Sequence, residues 1–213
     1  MLFAVQDRSG NKMKSIGIMG GTFDPIHLGH IITAEKVKET FCLDEVVFVP
    51  SGNPPHKKGR EITAAADRLA MVRLAVEGKN GFSVSTMEID REGYSYALDT
   101  VNAFYELYGT DIHLFFITGA DAISEIMSWY KAEELLGKCE FIAASRPGYT
   151  LVPDKTIPPA LQKRIHRFHE TALEISSSEI RSRISQGESV SAMIPYEVET
   201  YIRDHHLYKK GAL

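Results

Sequence analysis

The chain has 213 residues, a formal net charge of −4 at pH 7, 44% hydrophobic residues and 24% charged residues. These values are typical of a soluble globular domain and exclude a disordered or fibrous protein. The slight acidic excess argues against a protein that binds nucleic acid over its whole surface. We expect a loose N-terminal tail at 1–12 and a single domain at 13–213.

The cysteines and the hydropathy indicate where such a protein works. Cys42 and Cys139 lie far apart in the sequence and form no C-x-x-C motif, so we expect reduced thiols. No apolar run approaches the ~18 residues that a membrane span requires. The sequence therefore predicts a cytoplasmic protein without a membrane partner, and it leaves a homo-oligomer open.

Short apolar segments that end at glycine or proline alternate with amphipathic segments along the chain. Strands are predicted at 15–19, 45–49, 82–87, 113–117 and 141–144, and helices at 31–41, 63–76, 94–108 and 121–136. This alternation is typical of βαβ units. We predict an α/β fold: a doubly wound parallel sheet with helices on both faces and a small C-terminal helical portion. A basic run at 163–169, after a proline-rich break, is predicted to be a solvated face.

The first predicted strand-to-helix turn is the most informative stretch and reads Gly-Gly-Thr-Phe-Asp-Pro-Ile-His-Leu-Gly-His at 20–30. It matches neither the dinucleotide fingerprint nor the P-loop. Its glycines allow the backbone to approach a ligand, and the helix that follows offers N–H groups to an anion. His27 and His30, three residues apart, would lie on one helix face. This pattern indicates a phosphate site, although ordinary histidines or half of a zinc site would give the same spacing.

Two further segments carry basic or hydroxyl groups to the same edge of the sheet, where parallel strands end. Pro54-Pro55 stiffens the turn after the second strand and presents His56 and Lys57, or it is an exposed basic turn. A capping box of Ser176 and Glu179 starts a later helix that also carries Arg181. This helix start would clamp a phosphate through its serines and guanidinium, or would only be capped.

The remaining candidates follow the fourth strand. Asp121 comes directly after Gly119-Ala120, where it would cap a helix or lie beside a nucleotide. Trp129 is the only tryptophan in the chain, and it would pack in the core or cover a ring of the substrate.

The segment 21–30 resembles the H-x-G-H signature of the nucleotidylyltransferase superfamily. The resemblance continues, in order and spacing, with nicotinate mononucleotide adenylyltransferase over nearly the whole chain from Met13, through the segments 54–58, 93–100, 119–121, 146–148 and 175–181 and through Trp129. Two positions depart from the usual pattern, because Ala97 and Ser178 stand where the family usually has threonine. Neither change removes a charged group or an imidazole.

The resemblance implies a Rossmann-like fold and transfer of the adenylyl group of ATP to nicotinate mononucleotide, giving deamido-NAD and pyrophosphate, with Mg²⁺ carried by ATP and no nucleic-acid partner. It implies a catalytic group of His27, His30, Lys57 and Arg181. It implies ATP contacts by Gly20, Gly21, Thr22, Phe23, Gly119, Asp121, Ser177, Ser178 and Arg181, and mononucleotide contacts by His56, Lys57, Trp129 and Arg146. The alternatives are another H-x-G-H transferase, such as the pantetheine-phosphate type, and a non-catalytic nucleotide-sensing module.

Overall fold

The computed structural model describes residues 13–55, 62–145, 156–169 and 175–209. The tail expected at 1–12 lies outside them. The six strands in this part of the chain are β1 Lys14–Gly21, β2 Glu45–Pro50, β3 Phe82–Val84, β4 Ile112–Gly119, β5 Glu140–Ser145 and β6 Ile165–His169. They form one parallel sheet in the order β3-β2-β1-β4-β5-β6. The order reverses between β1 and β4, which is the switch point where such sheets bind ligands.

The helices are α1 Leu28–Thr40, α2 Ala65–Val76, α3 Ala97–Tyr108, α4 Ala120–Ser124, α5 Ala132–Lys138, α6 Pro159–Gln162, α7 Ser177–Ser185 and α8 Tyr196–Asp204. One apolar cluster packs α1, α2, α7 and α8 against one face of the sheet, and a second packs α3, α4 and α5 against the other. The predicted doubly wound α/β fold is thus confirmed. No helix among the described residues is both long and apolar enough to cross a lipid bilayer.

The helical segments predicted at 121–136 are confirmed, as α4, a 3-10 turn at Ile126–Ser128 and α5, with one break in the helical backbone before α5. The break falls at Trp129–Lys131, where Lys131 adopts a left-handed conformation with φ 49°. The apolar spacing continued through this region because Ile126 and Leu135 both pack into the core, although they belong to different elements.

One prediction of local structure is wrong, because the basic run is not a simple solvated face: Ile165–His169 is the sixth strand and pairs with β5. Its side chains alternate, with Arg167 and His169 exposed and Phe168 packed against the core. An edge strand is half exposed, so it tolerates charged side chains that a central parallel strand would exclude.

A carboxylate between two histidines joins the amino ends of three strands, at the edge of the sheet away from the switch point. Glu140 at the start of β5 bonds His113 Nε2 of β4 at 3.0 Å and also His166 of β6. The hydrogen bond with His113, followed by that with His166, lowers the pKa of Glu140 from its ordinary value near 4.5 to about 2. Because the pKa of Glu140 is lower in the folded protein than in the unfolded protein, these hydrogen bonds stabilise the fold at pH values above the unfolded pKa. This stabilisation disappears as the pH falls toward 2.

Glu140→Gln is therefore expected to reduce the free energy of unfolding at pH 7 by about 3 kcal/mol at most. The deficit relative to wild type should shrink between about pH 5 and pH 2, because the wild-type carboxylate is protonated over that range. Urea unfolding at a series of pH values measures this. Glu134→Gln is the matched control, since Glu134 makes only exposed ion pairs with Lys131 and Lys138. A deficit that stays constant with pH would contradict the assignment.

Candidate active site

Two neighbouring cavities open at the carboxyl edge of the sheet, beside the switch point. The first, called the aromatic cavity, has a volume of about 450 Å³ and is lined by Tyr96, Trp129 and Tyr130 among others. The second, the histidine cavity, has a volume of about 290 Å³ and is lined by His27, His30, Asp121 and other residues. Gly20 at the end of β1 and Thr118 at the end of β4 line both cavities. The two cavities can therefore hold two parts of one reacting complex.

The two histidines lie where the sequence predicted, at the start of α1. The rings of His27 and His30 stack with their centroids 3.6 Å apart and 24° between their planes. The backbone N–H of His27 donates to His30 Nδ1 at 3.2 Å. A neutral imidazole that accepts at one nitrogen carries its proton on the other, so His30 is a donor at Nε2. The arrangement presents an oriented imidazole donor to the histidine cavity.

Gly29 allows His27 to fold back over the first turn of α1. A Cβ at this position would lie 3.0 Å from His27 Nδ1, closer than such contacts normally come. This contact explains why a glycine stands directly before His30 in the sequence. A larger residue at 29 would displace the ring of His27.

The first turn of α1 differs from the predicted anion cradle. The backbone N–H of Leu28 donates to the Met193 carbonyl at 2.9 Å, and that of His30 donates to the His27 carbonyl at 2.9 Å. The prediction that the helix start offers its N–H groups to phosphate is therefore wrong for these two groups. The loop before α8 supplies the carbonyl, an interaction that no local pattern in the sequence indicates.

Phe23 is a predicted ATP contact whose side chain points elsewhere. It is buried in the core and meets the ring of His30 edge-on, with centroids 5.1 Å apart. Its other face packs toward Phe48 of β2. The ring of Phe23 thus packs against the ring of His30, whereas Gly20, Gly21 and Thr22 line the aromatic cavity.

Arg181 lines a different cavity from the two histidines. Its guanidinium donates to the carbonyl of Asp24 at 2.6 Å, and Arg181 lines a third cavity of about 490 Å³ together with Tyr208 and Lys209. The hydroxyl of Ser177 donates to the Pro25 carbonyl at 2.9 Å. Helix α7 thus holds the turn at 24–25 in place. The Ser177 hydroxyl would have to leave its carbonyl to donate to a phosphate, whereas the guanidinium of Arg181 has further N–H groups besides the one that bonds Asp24.

Helix α7 begins as predicted. Ser176 is its N-cap and accepts the backbone N–H of Glu179 at 3.2 Å. Ser178 is exposed at the start of the helix. The capping interpretation is therefore confirmed for Ser176, and the phosphate interpretation of Ser177 and Ser178 stays a prediction.

The structure separates Trp129 from the turn after β4. Gly119 and Asp121 line the histidine cavity, whereas Trp129 lines the aromatic cavity. The indole also meets the core rings of Phe116 and Phe141 edge-on, at centroid distances of 6.1 and 6.4 Å. Both interpretations of Trp129, core packing and a cover for a ring, fit this position.

A buried carboxylate lines the aromatic cavity. Glu88 is 6% exposed, and Thr100 donates its hydroxyl to Glu88 Oε1 at 2.5 Å. Burial raises the pKa of Glu88 above its ordinary value. Nothing in the local sequence pattern distinguishes Glu88 from a surface residue, so it could not be predicted as a site residue.

Three predicted site residues, His56, Lys57 and Arg146, lie outside the described residues. Within the described part of the chain, no group of three or more histidine, cysteine, aspartate or glutamate side chains is placed to hold a metal ion. Asp121 nevertheless supplies one carboxylate to the histidine cavity.

Comparison with known proteins agrees with this geometry. Residues 18–183 match the family model described as cytidylyltransferase-like. Two relatives, from Thermoanaerobacter sp. (strain X514) and Moorella thermoacetica, are each named "Probable nicotinate-nucleotide adenylyltransferase". Both are 48% identical to this chain. The first alignment covers 92% of this chain and 94% of the relative, and the second covers 91% of this chain and 91% of the relative. The chain belongs to the nicotinate-nucleotide adenylyltransferase family.

Family membership confirms the resemblance on which the predicted enzyme class depended. A solved structure of Plasmodium falciparum nicotinic acid mononucleotide adenylyltransferase complexed with NaAD has a TM-score of 0.74 to this chain. The aligned region covers 92% of this chain and 97% of the Plasmodium protein, and the two sequences are 22% identical. At this identity the likeness supports the fold alone, and it confirms the predicted Rossmann-like sheet.

One charged residue near the site, Arg68, was not among the residues predicted from the sequence. Arg68 is 1% exposed and donates to three backbone carbonyls around the site. The sequence nevertheless indicates that Arg68 is unusual, since it lies on the same face of α2 as the buried Met71, Val72 and Ala75. An arginine on the apolar face of a helix indicates a buried charge with dedicated partners.

Proposed function

We propose that this chain transfers the adenylyl group of ATP to nicotinate mononucleotide, giving deamido-NAD and pyrophosphate. The observation that carries the proposal is the stacked pair of His27 and His30 at the switch point, beside a cavity large enough for an aromatic ring. It stands in a chain 48% identical to relatives named for this activity.

The proposed reaction is a direct displacement. A phosphate oxygen of nicotinate mononucleotide attacks the α-phosphorus of ATP, the new P–O bond forms, and the bond between the α-phosphorus and its bridging oxygen to the β-phosphate breaks. Pyrophosphate leaves with the electron pair of that bond. The attacking phosphate is already a nucleophile, so the protein contributes position and charge stabilisation. His27 and His30 would stabilise the negative charge that grows on the transferred phosphate.

The two cavities suggest where the substrates lie. We assign the pyridine ring of the mononucleotide to the aromatic cavity and the α-phosphate of ATP to the histidine cavity. Because Gly20 and Thr118 border both, the reacting phosphates would meet at these residues. Mg²⁺ would enter with ATP and shield its phosphate charges, and Asp121 is a carboxylate of the type that Mg²⁺ binds alongside phosphate oxygens.

We propose that this reaction takes place in the cytoplasm. Cys42 and Cys139 are both free thiols, which suits a reducing compartment.

Purified protein, ATP, Mg²⁺ and nicotinate mononucleotide test the proposal. Deamido-NAD and pyrophosphate should form in equal amounts, as measured by chromatography and a coupled pyrophosphate assay. Parallel reactions with phosphopantetheine test the alternative transferase. Turnover of phosphopantetheine in preference to the mononucleotide, or binding of nucleotides with no product, would contradict the proposal.

Arg181→Lys is expected to retain part of the activity and to raise KM for ATP more than KM for the mononucleotide. Lysine keeps the charge but lacks the planar fork, so it cannot hold the Asp24 carbonyl and a phosphate together. Steady-state kinetics with each substrate varied in turn measure this. Arg183→Lys, two residues along the same helix, is the control because Arg183 forms surface ion pairs with Glu179 and Glu188. Equal rises in both KM values would contradict an assignment to the triphosphate.

A further inference from the structure

Arg68 is a fully buried charge that bonds two turns whose residues line the aromatic cavity. Its side chain is 1% exposed and reaches from α2 toward the turns after β1 and β2. Removing a guanidinium from water is costly unless its N–H groups find partners. Burial lowers the pKa of Arg68, but the group stays protonated because arginine is not deprotonated in proteins.

The partners of Arg68 are backbone carbonyls from three separate segments. Nη1 donates to Thr22 at 2.7 Å, Nε donates to Thr63 at 2.9 Å, and Nη2 donates to Gly52 at 3.5 Å. Thr22 follows β1, Gly52 follows β2, and Thr63 precedes α2. One side chain thus ties together the two turns at the carboxyl edge and the start of the helix that carries it.

The turn after β2 is held from its other side as well. Ser95 Oγ accepts the backbone N–H groups of Gly52 at 3.0 Å and Asn53 at 3.1 Å. A Cβ at Gly52 would lie 2.2 Å from the Glu88 carbonyl oxygen, so this turn is packed directly on the backbone behind it. Displacement toward Glu88 is therefore blocked, and the hydrogen bonds with Ser95 and Arg68 restrain the turn further.

A carboxylate near Arg68 compensates its charge. Asp24 is 5% exposed and raises the pKa of Arg68, against the effect of burial. The hydroxyl of Tyr208 donates to Asp24 Oδ1 at 2.7 Å. Asp24 belongs to the same turn as Thr22, so both ends of this turn are fixed by buried polar contacts.

We propose that Arg68 is a positioning residue that sets the geometry of the aromatic cavity. Thr22 lines this cavity, together with Ser51 and Pro54 on either side of Gly52. The distance between these walls depends on the carbonyls that Arg68 joins. This inference rests on the proposed function, because it assigns the aromatic cavity to the mononucleotide. Arg68 itself touches no reacting atom.

Arg68→Gln and Arg68→Lys test this role. Neither side chain can donate to three carbonyls in the geometry of the guanidinium fork. We expect kcat/KM for nicotinate mononucleotide to fall about 10- to 100-fold, chiefly through KM, because small misplacements at a site have effects of this size. KM for ATP should change little. Arg73→Gln and Arg73→Lys are matched controls, since Arg73 is exposed on the same helix.

A role in overall stability alone would give a different result. In that case Arg68→Lys would lower the melting temperature while leaving KM for the mononucleotide at the wild-type value, or would not fold at all, and either outcome overturns the proposal. Partial rescue of Arg68→Ala by added guanidinium, seen as a lower KM for the mononucleotide, would support it. If wild type and the Arg73 variants form no deamido-NAD, the proposed function fails instead.

Discussion

His27→Ala and His30→Ala are each expected to lower kcat by about 10²- to 10³-fold with little change in either KM. The physical reason is that each imidazole acts on charge that develops only in the transition state. His30 is a donor at Nε2 because its Nδ1 already accepts from the His27 backbone. Single-turnover rates at saturating ATP and mononucleotide measure the effect on the chemical step.

The control for these variants is Lys36→Ala, which removes an exposed charge from the same helix. It should turn over at the wild-type rate, and all three variants should keep the wild-type circular dichroism spectrum. Near-normal turnover of either histidine variant would refute the assignment. Stoichiometric zinc in the wild type, lost in both variants, would support a zinc site instead.

The His27→Ala, His30→Ala double variant should lose less than the product of the two single losses. The two rings stack at 3.6 Å, so each substitution removes the stacking partner of the other ring, and His30→Ala also removes the acceptor of the backbone N–H of residue 27. Groups that act as a unit are non-additive in this way. Fully multiplicative losses would show that the histidines act independently.

The central strands and the histidine pair were predictable because local patterns determine them. A strand buried on both faces, such as β1 or β4, must be apolar throughout, and its glycine end must turn. The spacing of His27 and His30 places both at the start of α1 whatever surrounds it. These features need no information from distant parts of the chain.

What the sequence did not reveal depends on contacts between distant residues. Arg181 was expected at the phosphates, yet its hydrogen bond is with the carbonyl of Asp24, 157 positions away in sequence. The N–H of Leu28 is taken by Met193, which belongs to a loop before the last described helix. Neither pairing leaves a periodic trace in the sequence, because a backbone carbonyl can belong to any residue type.

Substrate choice also depends on contacts between residues that are distant in the sequence, and the structure changes which residues can make them. A helix start at Gly119–Asp121 beneath Trp129 would favour an acid through its dipole. In the structure α4 has only 5 residues, and Gly119 and Asp121 line the histidine cavity rather than the aromatic cavity. With the pyridine ring assigned to the aromatic cavity, the described residues that can set a preference for nicotinate are those around Trp129, Tyr96 and Tyr130.

We expect kcat/KM for nicotinate mononucleotide to exceed that for nicotinamide mononucleotide by about two to four orders of magnitude. Two hydrogen bonds to a carboxylate, at about 1.5–3 kcal/mol each, give a difference of this size. Parallel kinetics with the two mononucleotides measure the ratio.

Trp129→Ala extends the same prediction to the ring of the substrate. Loss of the indole should raise KM for nicotinate mononucleotide more than KM for ATP, because Trp129 lines the aromatic cavity and not the histidine cavity. Tyr196→Ala, which removes a ring that is 72% exposed, is the control and should change neither value. Similar kcat/KM values for the acid and the amide would refute the specificity but leave adenylyl transfer standing, since the histidine cavity acts on phosphates that both mononucleotides share.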